Sequence, residues 1–272
     1  MKDKKRHGRA LAWLLLIVSI GVIALCGYHL NEIQQTYREG NESYDALVDR
    51  VRPAGQAPTN GVEPIREDAN EDINEGIQAP GMSIDFAALQ KVNPDAAAWL
   101  YCPDTVIDYP IVWASEYDYY LHHLPDGKTN ANGTLFIDYN NATDFADGLT
   151  IIYGHNMKSG RMFGSLTGYK AQAYFEEHPY LYLYTAGGSN YRIDLVYGCV
   201  IGAGKWRERA FMYEENRDAF LAYAAKNTTF TSPAQYTPDD KFVVLSTCSY
   251  EFDDARYVVA GVLRPLPAGS VQ

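Results

Sequence analysis

The chain has 272 residues, 47% hydrophobic and 21% charged, enough to bury the core of one large domain with appendages. Its 22 tyrosines and 10 phenylalanines, beside ordinary glycine and proline usage, exclude a disordered chain. The formal charge of -11 is split, because Lys2, Lys4, Lys5, Arg6 and Arg9 against Asp3 give residues 1–9 a net +4 and leave -15 for the remainder. So acidic a body lacks the clustered cations that bind a phosphate backbone, and nucleic acid is set aside as a partner.

Residues 1–9 read as a basic tail. Residues 10–27, ALAWLLLIVSIGVIALCG, carry no charge. As a helix they would reach about 27 Å, close to the thickness of a bilayer's hydrocarbon core, so 10–28 is expected to be a transmembrane anchor. Basic residues before it and an acidic chain after it predict a single-pass type II orientation with the body outside the cytoplasm. A cleaved signal peptide would have a shorter apolar run ending at small residues, and no A-x-A site follows here. A lipoprotein site at Cys26 fits worse still, because Leu25 stands where a small residue is expected.

Residues 29–80 are expected to form an extracellular stalk and linker. Leu30, Ile33, Tyr37, Tyr44, Leu47, Val48 and Val51 recur at helical spacing, predicting one or two amphipathic helices with a break at Gly40. Residues 53–80 shift to Pro, Gly and acidic residues with almost no large apolar side chains, the composition of a solvated linker.

The folded domain is placed at 81–272. A short helix over 84–92 should stop at Asn93-Pro94, since the residue before proline avoids the α region. Strands are predicted over 98–101, 107–112, 134–138, 150–153, 180–184, 191–201, 242–247 and 257–263. Eight short β-branched and aromatic runs argue for a mainly β, closed or nearly closed barrel. Helical interruptions are expected near 118–122, near 162–169 and over 214–227. The last lies in a connection of some 40 residues before the seventh strand, longer than compact domains ordinarily use and of a kind that shapes binding sites.

The cysteines at 26, 102, 199 and 248 show no CxxC or Cys/His spacing, so no metal site is expected. Spacing alone leaves a Cys102–Cys199 bridge open. The segment KFVVLSTCSYEFDDARYVVAGVLR (241–264) reads as a hairpin with Cys248 and Arg256 at the same end. A guanidinium near a thiol favours the thiolate or steadies an oxyanion on the carbonyl that it attacks. The opposing reading is that Cys248 is a small buried hydrophobe. A thiol nucleophile also needs a histidine to manage its proton. His7 falls in the cytoplasmic basic tail, His29 abuts the membrane, His122 and His123 are adjacent and point different ways, and His178 precedes Pro179 in a turn. His155 follows an apolar strand and Gly154, either as a loop residue or as that proton carrier.

YGHNMKSGRMFGSL, then LSTC, then ARYVV resemble the sortase family of cysteine transpeptidases, whose signature is a TLxTC-like strand end with a downstream arginine and an upstream histidine. Val244 departs from the usual first threonine. The resemblance spans about residues 84–264. The NPD segment with Trp99, DYP before DYYLHH, GTLFIDYNN and the helix-bearing connection are most similar to class B sortases. It implies an eight-stranded β-barrel and an active site of Cys248 as nucleophile, His155 as general acid and base, and Arg256 stabilising the oxyanion or substrate, with no cofactor and no metal. It also implies cleavage of a C-terminal sorting motif, NPxT- or SPxT-like, after threonine, and transfer through a thioacyl intermediate to a peptidoglycan amine of a Gram-positive cell wall.

Ser246 and Thr247 are candidate substrate contacts, against simple strand packing. Phe220 and Tyr223 wall a groove or belong to the core; Asp253 and Asp254 orient His155 or Arg256, or lie in a solvated loop. Three other functions compete. One is a class B sortase that polymerises pilins onto a lysine, and another is a non-catalytic membrane-tethered wall-binding module. The third, an L,D-transpeptidase, would need histidine and glycine around the cysteine, which LSTCSYEF lacks. The sequons at Asn41, Asn132, Asn141 and Asn227 are expected to be unmodified in a bacterium.

Overall fold

The computed structural model describes residues 2–52, 82–116, 118–204 and 216–267, with side chains from Trp13 onward. The linker expected over 53–80, and residues 214 and 215 of the helix expected at 214–227, lie outside the described residues.

The first element, α1, is one helix over Lys2–Val51. From Trp13 to Leu30 its large apolar side chains stand exposed, and this part is long and apolar enough to cross a membrane. The expected break at Gly40 is absent. Gly40 sits inside the helix where a Cβ would lie 2.5 Å from Asn132 Nδ2 and 2.7 Å from Asn130 Oδ1. The glycine makes room for a close approach rather than ending the helix, and tertiary contact outweighs its low helix propensity. Around it, Asn130 Nδ2 donates to the Thr36 carbonyl at 2.8 Å, Asn132 Nδ2 to Asn41 Oδ1 at 3.1 Å, and the buried Tyr44 hydroxyl to the Gly133 carbonyl. The last four turns of α1 are therefore part of the folded body.

All eight expected strands form, and they close into a barrel: β1 (Ala96–Tyr101), β2 (Asp108–Trp113), β3 (Leu135–Ile137), β4 (Leu149–Tyr153), β5 (Tyr180–Thr185), β6 (Tyr191–Gly202), β7 (Phe242–Cys248) and β8 (Ala255–Pro265). Their order around the barrel is β1-β2-β3-β4-β7-β8-β6-β5. The β2–β3 and β4–β7 pairs are parallel and the others antiparallel. Short helices punctuate it: α2 (Phe86–Val92), α3 (Gln172–Glu177), α4 (Arg217–Asn227) and 3-10 turns at Tyr119–Leu121 and Gly164–Lys170. The sequence pattern did not reveal α3, and the helix expected near 162–169 is the second 3-10 turn.

Alternation along the strands divides the apolar residues into an interior and two outer layers. Leu100, Ile111, Leu135, Ile152, Leu245 and Val259 fill the barrel. On the outer face of β4, β7, β8 and β6, residues including Ile151, Val244, Val258 and Cys199 are covered by Phe220, Leu221 and Ala224 of α4. Tyr223 joins that layer and donates to the Val200 carbonyl at 3.3 Å, so both aromatics of this helix serve packing. On β1 and β5, Trp99, Tyr182 and Tyr184 lie under Leu47 and Val51 of α1 and Leu89 of α2. Trp99 donates to Asp108 Oδ1 at 2.7 Å, and Arg52 pairs with the same oxygen at 2.6 Å, locking the end of α1 onto the barrel.

Cys102 and Cys199 are free thiols in different layers, one inside the barrel and one beneath α4. No bridge joins them.

Candidate active site

Two strand pairings assemble the site. In the antiparallel β7–β8 ladder, Cys248 lies opposite Arg256. The Ser249 N–H donates to the Ala255 carbonyl at 2.9 Å. The 249–255 pair is thus the hydrogen-bonded one, and 248–256 is of the closer, non-hydrogen-bonded kind, with Cα atoms about 4.5 Å apart and both side chains on one face. That face is the outer one, since Val244 and Ser246 precede Cys248 at period two.

The parallel β4–β7 pairing brings in the histidine. Tyr153 stands opposite Ser246, and three further hydrogen bonds continue the register past the end of β4. The Gly154 N–H donates to the Ser246 carbonyl at 3.2 Å, Thr247 Oγ1 donates to the Gly154 carbonyl at 2.8 Å, and Asn156 Nδ2 donates to the Cys248 carbonyl at 2.8 Å. Residues 154–156 therefore run alongside 247–249, and His155 shares the parity of Ile151 and Tyr153 on the outer face.

His155 Nε2 lies 2.7 Å from the carbonyl of Leu121, the last residue of the first 3-10 turn. A carbonyl oxygen only accepts, so the proton sits on Nε2 and Nδ1 carries the lone pair. Burial pushes the imidazole pKa below its ordinary 6.5. The Leu121 carbonyl opposes that shift, and His122, with its ring 6.4 Å away, adds to it. His155 is thus neutral at pH 7. The other candidates have other surroundings: His123 stacks on Tyr119 with centroids 4.0 Å apart, and His178 packs on Tyr174.

The thiols differ in the same way. Burial pushes Cys102 up to about 11 and Cys199 up to about 12, which keeps both protonated and unreactive. Cys248 is only partly covered, as are Arg256 and His155.

Of the candidate substrate contacts, Ser246 is buried on the Cys248 face, and among the described residues its hydroxyl has no hydrogen-bond partner. Thr247 alternates to the interior face and its hydroxyl is committed to Gly154. Asp254 lies in the β7–β8 loop at φ +61, the left-handed region that Asp tolerates, and its carbonyl accepts from the Ala203 N–H at 2.8 Å. It is the Leu121 carbonyl that His155 engages. That carbonyl and Asn156 are the parts of the site that sequence reading missed. Asn156 was within reach of inspection, as the residue after the histidine in YGHN; the role of a main-chain carbonyl 34 residues upstream leaves no trace in a sequence.

No family model matches the chain. Sortase B of Listeria monocytogenes serovar 1/2a is 36% identical over 268 residues, covering 97% of this chain and 99% of the relative. The crystal structure of sortase B from Bacillus anthracis superposes with a TM-score of 0.67 at 27% identity, over 86% of this chain and 100% of that one. A class B sortase of Streptococcus pyogenes involved in pilus biogenesis is similar with a TM-score of 0.59 at 27% identity, over 66% of this chain and 97% of that one.

Proposed function

The chain belongs to the sortase B family of cysteine transpeptidases, and from that premise we propose that it cuts a C-terminal sorting motif of the NPxT or SPxT kind after threonine and passes the protein to a peptidoglycan amine. The observation that carries this reading is the register: one ladder pairs Cys248 with Arg256, and a second runs His155 alongside them. Residues 10–28 anchor the enzyme, in a type II orientation, on the outer face of a Gram-positive membrane beside both substrates.

The chemistry runs in two halves. The Cys248 sulfur, its proton taken up by the neutral His155, attacks the threonine carbonyl, and the Arg256 guanidinium steadies the oxyanion. The C–N bond then breaks, and the imidazolium returns its proton to the departing amine. An acceptor amine attacks the resulting thioester as His155 takes its proton, the C–S bond breaks, and that proton passes to the leaving sulfur, which restores the Cys248 thiol and the neutral imidazole. One amide replaces another, so no external energy source enters. Thr247 holds Gly154 in place, and Ser246, being buried, supports this face from within the strand.

The test uses the full-length protein in detergent micelles with fluorogenic NPxTG, NPxTN, SPxTG and LPxTG peptides, an amine acceptor, and Cys248→Ala alongside. Turnover lost in the variant, with a peptide adduct on Cys248 by mass spectrometry, is expected. A folded protein that shows neither turnover nor an adduct, and whose Cys248 resists a small methanethiosulfonate reagent, would instead be a wall-binding module. The likeness to a sortase involved in pilus biogenesis favours one further arm, with pilin-derived lysine peptides as acceptors. Faster transfer to these than to peptidoglycan stem or cross-bridge amines would make the enzyme a pilin polymerase.

A further inference from the structure

The loop between Cys248 and Arg256, residues 249–254, is not held by apolar packing: Tyr250 is 75% and Phe252 is 52% exposed. It is held by a polar network instead. Lys170 Nζ donates to Ser249 Oγ at 2.9 Å and to Glu251 Oε1, and the buried Ser249 hydroxyl donates to Glu251 Oε2. The same ammonium lies 5.1 Å from the centroid of the Tyr257 ring. One cation therefore touches the residue that follows Cys248 and the residue that follows Arg256.

Lys170 is itself well placed to transmit a position. It ends the 3-10 turn Gly164–Lys170, which continues the segment leaving His155. That segment is tied back to the histidine by the Phe163 N–H, which donates to the His155 carbonyl at 2.9 Å. Its neighbour Tyr169 is fully buried; its hydroxyl donates to the His178 carbonyl at 2.8 Å, and its main-chain carbonyl accepts from Thr229 Oγ1 at 2.9 Å. The Thr229 hydroxyl also lies 2.7 Å from the Tyr257 hydroxyl.

We propose that Lys170, acting through Ser249, Glu251 and Tyr257, is a positioning residue that fixes the Cys248–Arg256 pair relative to the His155 segment. The lysine touches no reacting atom. Against the upward push of burial, the hydrogen bonds from Lys170 and Ser249 lower the Glu251 carboxyl to about 2, so it is charged at neutral pH. This role rests on the transpeptidase reading for its catalytic consequence but not for its structural one.

The experiment has two readouts on the full-length protein. In Lys170→Met, hydrogen exchange at the Ser249 and Ala255 amides, which bond to Ala255 and Phe252 carbonyls across the loop, should accelerate at least 10-fold. On a cleaved peptide, kcat should fall about 10-fold with KM within twofold, and Lys170→Arg should recover most of the loss. Exchange within threefold of the parent overturns the proposal whether or not any peptide is turned over. So does a loosened loop with unchanged kcat, a loss carried by KM, or Lys170→Arg no better than Lys170→Met. Absence of Cys248-dependent turnover in the parent itself would fall on the transpeptidase reading, and the exchange comparison would still decide the role of Lys170.

Discussion

Gly154→Ala tests whether the site is held as tightly as its ladder implies. A Cβ at this position would lie 2.4 Å from Leu135 Cδ2 and 2.7 and 2.9 Å from the Phe163 ring. Carbon atoms rest at about 3.5–4.0 Å, so something must move by roughly 1 Å. Leu135 and Phe163 are completely buried in the barrel core and have nowhere to go. Gly154 is bonded through its N–H to Ser246 and through its carbonyl to Thr247, so its displacement carries His155 with it. Overpacking of this kind costs about 1–3 kcal/mol. For a domain of this size each kcal/mol lowers Tm by roughly 2–4 °C, giving a fall of about 2–12 °C. The larger effect should be on rate, since a shift of about 1 Å in a catalytic group can cost roughly 100-fold. Thermal melting and kcat/KM on the cleaved peptide measure the two separately. Gly187→Ala, whose Cβ would meet its nearest atom at 3.9 Å, serves as the neutral control. A Gly154→Ala protein with kcat/KM within threefold of the parent would refute the coupling between this close contact and the histidine.

Gly40→Leu should separate α1 from the barrel, because its side chain would enter the space held by Asn130 and Asn132. The expected results are a stability loss of about 1–3 kcal/mol in denaturant melts and new protease sites between residues 36 and 52; unchanged melting would sink the docking argument. His155 sets a pH dependence of defined sign. Its folded pKa is depressed by burial below an unfolded value of about 6.5, so its stabilising contribution is full above that pH and is lost as pH falls through the folded value. Between pH 7 and 5, His155→Gln should therefore lose less stability in urea than the parent. Equal pH slopes for the two proteins would show that the imidazole is not desolvated.

What could be read from the sequence follows how far apart the interacting residues lie. The eight strands were legible because each is a short run of β-branched and aromatic residues between turn signals. Cys248 and Arg256 could be placed together because a hairpin brings neighbours in sequence to one end. Nothing local tells a strand to pair in parallel with another about 90 residues away, yet that pairing carries the chain at His155 alongside Cys248 and lets Asn156 bond to the Cys248 carbonyl across 92 positions. The histidine could be singled out by its place after an apolar strand, but its partner could not. Gly40 shows the same limit from the other side. Its low helix propensity argued for a break, and the contact that keeps the helix whole comes from residues 90 and more positions downstream. The site is thus one locally encoded pair and one long-range addition. The long-range part is also where small changes of shape, at Gly154 or Lys170, should act on rate more than on folding.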